Sequence, residues 1–273
     1  MKDELLALLA SKEGYNLKLN TMREYLQAYI LRILFKNNFF QQAAFLGGTC
    51  LRFIHGIKRF SEDLDFSLYA GGLDFEKVID ALHGELEDSG YFVNLKVKKR
   101  VLYSVSFKFA GMLYGAGMSS REEENLSIKI ELDTNPPKGA QTEKHILNRH
   151  FMFGLTCYDL PTLFAGKINA VLTRDYVKGR DFYDIFWYLT THKNCEPNID
   201  FLEKALRQFS WQGSLESIKD WKSLLVGKLK NIDWEAVRKE VELLIEDRDE
   251  LLVFSADNLL LLLEETGGAK AEL

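Results

Sequence analysis

The sequence predicts an α/β protein in which strands and helices mix up to about residue 155 and helices alone follow. Three observations carry this. A short apolar strand runs into Gly47-Gly48 and a short helix. Alternating apolar and polar residues mark strands between Phe92 and Asp133. After Asp159-Leu160-Pro161 the apolar period becomes that of a helix and stays so.

The elements follow in order. Leu5 to Lys36 has helical periodicity, with Tyr25, Ile30 and Leu34 among its apolar positions. Phe45-Leu46 is a strand entering the glycine turn, and Leu51 to His55 is a helix too short to stand without packing. Leu64 to Leu68 is a strand. Asp74 caps a helix with Phe75, Val78, Ile79 and Leu82 at helical spacing, ended by Ser89-Gly90. Phe92 to Lys99 and Leu102 to Phe109 are strands, and 111–124 is a glycine- and charge-rich loop. Ser127 to Asp133 is a strand stopped by Asn135-Pro136-Pro137. The expected division is 1–155 and 156–273.

The 273 residues can bury a sizeable core, and the composition is that of an ordinary soluble protein. Cys50, Cys157 and Cys195 are far apart, which argues for reduced thiols in a cytoplasm rather than a disulfide framework or a zinc site. His55, His83, His145, His150 and His192 show no metal-ligand spacing. The N-terminus lacks the basic start of a signal peptide. The longest apolar run, Leu259 to Leu263, falls far short of the ~20 residues of a membrane span.

The chemistry concentrates in FLGGTCLRFIHGIKRFSEDLDFSL, residues 45–68. Gly47-Gly48 lets backbone approach phosphate without a Cβ in the way. Thr49 falls at a helix N-terminus, where free N–H groups favour an anion. Asp63 and Asp65 are i and i+2 on a strand and project from one face. Carboxylates this close repel unless a cation lies between them, and Mg²⁺ binds through one or two carboxylates plus substrate phosphates. The segment is not a P-loop, because no Gly-Lys-Ser/Thr follows, and it lacks the loop glycine of an EF-hand. In the strand 127–133, Ile128, Ile130 and Leu132 face the core. Lys129, Glu131 and Asp133 share the other face.

Further along, Lys167, Arg174 and Lys178 are spaced by seven and four, as on one helical stripe. Gly179 marks a break, after which Arg180 and Asp184 are i, i+4. The aromatic run Phe182, Tyr183, Phe186, Trp187 and Tyr188 faces all sides of a helix, as core does. Net charge is −5, yet Lys96, Lys98, Lys99, Arg100 and Lys108 lie in a stretch with no acid, and Lys58 and Arg59 precede the Asp pair. That pattern suits either an RNA track or the solvated side of a strand.

GGTCLRFIHG with RFSEDLDFS resembles the AbiEii/AbiGii toxin group of the DNA polymerase β-like nucleotidyltransferases. The block Leu163 to Ala170, Arg174 and Gly179 to Asp184 is similar to the group's downstream motif. The resemblance implies a mixed sheet flanked by helices, a helical C-terminal domain, and an NTP in the cleft they form. It implies Asp63 and Asp65 on Mg²⁺, at a two-ion site, with a third acid at Glu131 or, as second choice, Asp133. Gly47, Gly48, Thr49, Lys167 and Arg180 would hold the nucleotide, with Asp184 or Asp181 orienting the lysine. It further implies transfer of a nucleotide to RNA, plausibly the tRNA 3′ end, by a toxin restrained by a cognate antitoxin. Transfer to a protein or small molecule, or nucleotide binding without catalysis, are the alternatives.

Overall fold

The computed structural model describes residues 2–98, 102–230 and 232–265. The chain forms two compact units. The first comprises residues up to Gly56, Phe60–Pro136 and Thr142–Cys157. The second comprises Ile57–Arg59, Pro137–Gln141 and everything from Tyr158 onward.

The first unit opens with helices α1 (Lys2–Ala10) and α2 (Tyr15–Lys36). The sequence suggested one helix here; Gly14, at φ 77°, turns the chain between the two. The expected strand is β1 (Ala43–Leu46), which runs directly into α3 (Gly47–Cys50) and a single π-helical turn at Leu51–His55. Then come β2 (Leu64–Leu68) and α4 (Phe75–Asp88), whose cap Asp74 accepts a hydrogen bond from the Lys77 backbone N–H at 3.1 Å. Strands β3 (Val93–Lys98), β4 (Leu102–Phe109) and β5 (Leu126–Asp133) follow, with the short helix α5 (Met112–Gly115) inside the region expected to be loop.

Residues 142–158, unassigned from sequence, form β6 (Thr142–Arg149) and β7 (Phe151–Tyr158), joined at His150 with φ 61°. Among the described residues the sheet has seven strands in the order β3-β4-β5-β2-β1-β7-β6. It is mixed, as expected: β2 is antiparallel to β1 but parallel to β5, and β1 is parallel to β7. Phe39, Phe45 and Phe66 are buried, with the Phe66 ring 4.9 Å from Phe39 and 5.4 Å from Phe45. Each such ring contributes roughly 1.5–3 kcal/mol by leaving water. This core holds β1 and β2 in the register that presents the carboxylates.

The second unit is helical from α6 (Leu160–Thr173) and α7 (Gly179–Thr191) onward. Asp159 caps α6 by accepting from the Thr162 N–H at 2.9 Å, and Pro161 occupies the first turn. The aromatic run is core: Tyr188 stacks on Phe164 at 4.1 Å, and Tyr183 and Phe186 pack on Phe254 at 5.4 and 5.5 Å. Residues 57–59 join this unit through a bridge between Arg59 and Ile245 and a hydrogen bond from Glu246 N to the Lys58 carbonyl. Among the described residues no helix is long and apolar enough to cross a membrane.

Candidate active site

In the first unit the glycine turn and the carboxylates form one structure. Gly47 has φ 78°, and a Cβ built there would overlap the Asp65 carboxylate. Glycine is therefore required twice over, by conformation and by the close approach of an acid. Thr49 is fully buried, and its hydroxyl donates to the Asp63 backbone carbonyl. The Thr49 hydroxyl is thereby committed to the protein, and the expected anion contact is one for backbone N–H groups. That hydroxyl anchors the entry to β2, fixing where the acids begin.

The parallel register of β2 and β5 sets Asp65 directly beside Glu131, and Ser67 beside Asp133. Asp133 accepts a hydrogen bond from Asn135 N at 2.9 Å. Of the two acids that periodicity left equivalent, Glu131 is thus the neighbour of the Asp pair. Lys129, two residues before it on the same face, was not singled out from sequence. Its Nζ lies 3.5 Å from Asp63 Oδ2 and 3.3 Å from Glu131 Oε1. Burial works against the Lys129 charge, but Asp63, Glu131 and Asp65 outweigh it and hold its pKa above the ordinary lysine value. The cluster attracts a cation strongly enough to draw in one from its own strand. Its donors are all carboxylate oxygens, the set that suits hard Mg²⁺ over softer metals. A cleft of about 440 Å³ adjoins Asp63 and Lys129, lined also by Tyr15, Arg23, Ser106 and Asn125.

The second unit holds a separate constellation. α6 ends at Thr173, and Arg174 is extended at ψ 138°. Lys167, Arg174 and Lys178 therefore do not form one helical stripe: Arg174 lies in the connector and Lys178 is the N-cap of α7. Lys167 and Arg174 instead converge on α7 from two directions. Lys167 Nζ is 2.7 Å from Asp184 Oδ2 and 3.2 Å from Asp181 Oδ1, and Arg174 pairs with Asp181. Arg59 grips Asp184 with both Nε and Nη2, at 2.5 and 2.6 Å. Asp184 is fully buried, which by itself would raise its pKa; Arg59 and Lys167 reverse this and hold it below the usual carboxylate value.

Arg59 and Lys58 were expected to add basic charge near the Asp pair. Their partners lie in the helical unit: Arg59 is buried on Asp184, and Lys58 pairs with Glu250 at 3.2 Å. A cavity of about 290 Å³ in this unit is lined by Arg174, Lys178 and Lys228 together with Tyr176 and Asp181. Burial lowers the Lys178 pKa, and the neighbouring Arg180 and Arg174 charges lower it further. Of the residues considered for an RNA track, Lys96 and Lys98 are exposed on β3, whereas Lys99 and Arg100 lie outside the described residues.

The sequence profile of the nucleotidyl transferase AbiEii toxins, of type IV toxin–antitoxin systems, matches residues 29–254. No curated protein matches the chain. Among solved structures, MenT4, a nucleotidyltransferase toxin of Mycobacterium tuberculosis H37Rv, superposes with a TM-score of 0.61 at 14% identity, covering 99% of this chain and 91% of that one. JHP933 from Helicobacter pylori superposes with a TM-score of 0.50 at 19% identity, covering 89% of this chain and 91% of the other. At such identities these likenesses speak to the fold, while the profile spans most of the chain. The protein is a nucleotidyltransferase and belongs to the AbiEii toxin family.

Proposed function

We propose that this toxin transfers a nucleotide from an NTP to an RNA acceptor, with the tRNA 3′ end as the favoured target, and that a cognate antitoxin restrains it. The observation that supports the reading is the all-oxygen set of Asp63, Asp65 and Glu131, fixed by strand register and already drawing a lysine ammonium. These residues would hold Mg²⁺ as a one- or two-ion site. When bound, the metal supplies charge neutralisation at the reacting phosphoryl oxygens, where catalysis is mostly positioning and electrostatics.

The chain's own residues do the rest. Glu131 takes the proton from the acceptor hydroxyl in this reading. The Gly47-Gly48 backbone offers N–H groups to phosphate, and Thr49 keeps the Asp63 end of β2 in place. An ammonium has three N–H donors. Asp184 and Asp181 occupy two of those of Lys167, which leaves one for the triphosphate. Arg180 and Lys178 add positive charge for the leaving pyrophosphate.

The test incubates the protein with Mg²⁺, each labelled NTP in turn and total RNA. Label is expected on RNA with one NTP preferred, and Asp63→Asn or Asp65→Asn should reduce it at least ~10³-fold, the equivalent of about 4 kcal/mol of metal-derived stabilisation. Transfer that persists in the double Asp63→Ala/Asp65→Ala protein would sink the mechanism. Label on protein instead of RNA would overturn the acceptor. Lys96→Glu/Lys98→Glu should weaken RNA labelling, and an unchanged rate would remove β3 from the RNA footprint.

A further inference from the structure

A second group of metal-ligating side chains lies in the first unit, with a donor set unlike that of the Asp pair. Glu143 and His145 are i and i+2 on β6, and Cys157 is on the adjacent β7. A carboxylate oxygen, an imidazole nitrogen and the Cys157 sulfur all lie within 4.8 Å of one another. His145 Nε2 and Glu143 Oε1 are already 2.7 Å apart. A fourth donor is at hand, because the buried Cys50 thiol interacts with that of Cys157. The His55 ring is 6.0 Å from the His145 ring. Neither cysteine nor histidine spacing hints at this in the sequence; the fold assembles it from α3, β6 and β7.

We propose that Glu143, His145 and Cys157 form a site for a borderline-soft divalent cation of the zinc class, with Cys50 in reach of the fourth position. One thiolate, one imidazole and one carboxylate select such an ion over Mg²⁺, which takes oxygen ligands. Zinc bonds of about 2.0–2.3 Å put tetrahedral ligand atoms roughly 3.5 Å apart. The longest donor pair must therefore close by at most about 1.3 Å, while the Glu143–His145 pair must open slightly from 2.7 Å. Glu143 and His145 can supply that movement, since their side chains are 39% and 34% exposed, which also gives the ion a route in from solvent. Binding converts the Cys157 S–H to a metal-bound thiolate and releases its proton.

The occupied site would act on the Asp-bearing turn. Cys157 is the register partner of Phe45 on β1, Leu46 opposes Asp65, and Cys50 follows Thr49 in α3. An ion here would stitch the β6–β7 edge to the Gly47–Cys50 turn.

The proposal stands independently of the nucleotidyl acceptor, and its test reads metal rather than catalysis. Chelator-stripped protein is titrated with Co²⁺. One equivalent should produce a thiolate-to-cobalt charge-transfer band that Zn²⁺ bleaches and that excess Mg²⁺ or Asp63→Asn leaves unchanged. His145→Gln and Glu143→Gln, at half-exposed positions, should each weaken Co²⁺ binding at least ~10-fold, and Cys157→Ser should remove the band. A missing band in the wild-type protein, or wild-type affinity in both His145→Gln and Glu143→Gln, would overturn the site. Those two variants decide the matter even if Cys157→Ser fails to fold.

Discussion

Two charged clusters, one in each unit, are built from the same residue types and behave oppositely. On the sheet, three carboxylates (Asp63, Asp65, Glu131) face one ammonium, and Asp63, Glu131 and Lys129 are 23–38% exposed. In the helical unit, two carboxylates (Asp181, Asp184) face three cations (Lys167, Arg174, Arg59), with Asp184 and Arg59 at 0–1% exposure. The first cluster is short of positive charge and open to water, so it can take up a metal. The second is dry at its centre, where Arg59 and Asp184 hold a shape, and Lys167 lies at its more exposed rim. Charge balance and burial separate a reactive site from a brace, where residue identity does not.

The largest expected effect breaks the brace. Asp184→Asn removes the buried carboxylate that Arg59 and Lys167 share and should cost about 3–5 kcal/mol, read by urea denaturation. Asp63→Asn should leave stability unchanged or slightly raised, because it relieves like-charge repulsion. Equal losses in the two variants would erase the distinction.

Acid should act on buried carboxylates in the same sense. Burial alone would raise the Glu24 pKa, but His150, Arg52 and Arg149 bring it down to about 2. Asp184 is depressed as well. A depressed folded value means that the stability is present above the unfolded carboxylate pKa and disappears as pH falls through the folded one. Glu24 should account for about 3 kcal/mol of loss between roughly pH 4.5 and pH 2. Glu24→Gln should flatten that part of a stability–pH curve.

Gly47→Ala tests the coupling of turn and acid. It should lower transfer about 10²-fold by displacing Asp65, while costing only about 1–2 kcal/mol of folding stability. The smallest effect belongs to Lys129. Half-exposed ion pairs are worth about 0–1 kcal/mol, so Lys129→Met should lower the Mg²⁺ concentration for half-activation by no more than roughly fivefold. A rise instead would show that Lys129 helps to hold substrate.

Much of this arrangement was legible in the chain, and the gaps have physical causes. The glycine turn, β2, β5 and the break before α7 depend on local periodicity and local conformational demand, which a sequence displays. β6 and β7 escaped because Thr142–Arg149 is mostly polar along a sheet edge, and Gly154 interrupts Phe151–Tyr158. The pairing of β7 with β1 is parallel and non-local, so no turn signals it. Glu131 and Asp133 share a face and a charge, and only the register with β2 separates them. Lys129 was visible on that face, two residues from Glu131, but its partnership with Asp63 depends on a neighbouring strand. The tie of the Thr49 hydroxyl to the Asp63 carbonyl is a tertiary fact that local sequence does not display. Arg59 was grouped with Lys58 because its partner lies 125 residues downstream.

That last separation has a consequence for synthesis. At about 5–20 residues per second, Arg59 is added to the chain roughly 6–25 s before Asp184 exists to receive it. The helical unit cannot be completed in order of translation; it must wait to reclaim a segment made long before its own first helix. Until Asp184 is made, Arg59 lacks the bidentate grip it has in the finished fold, so this core of the helical unit closes only after α7 is complete.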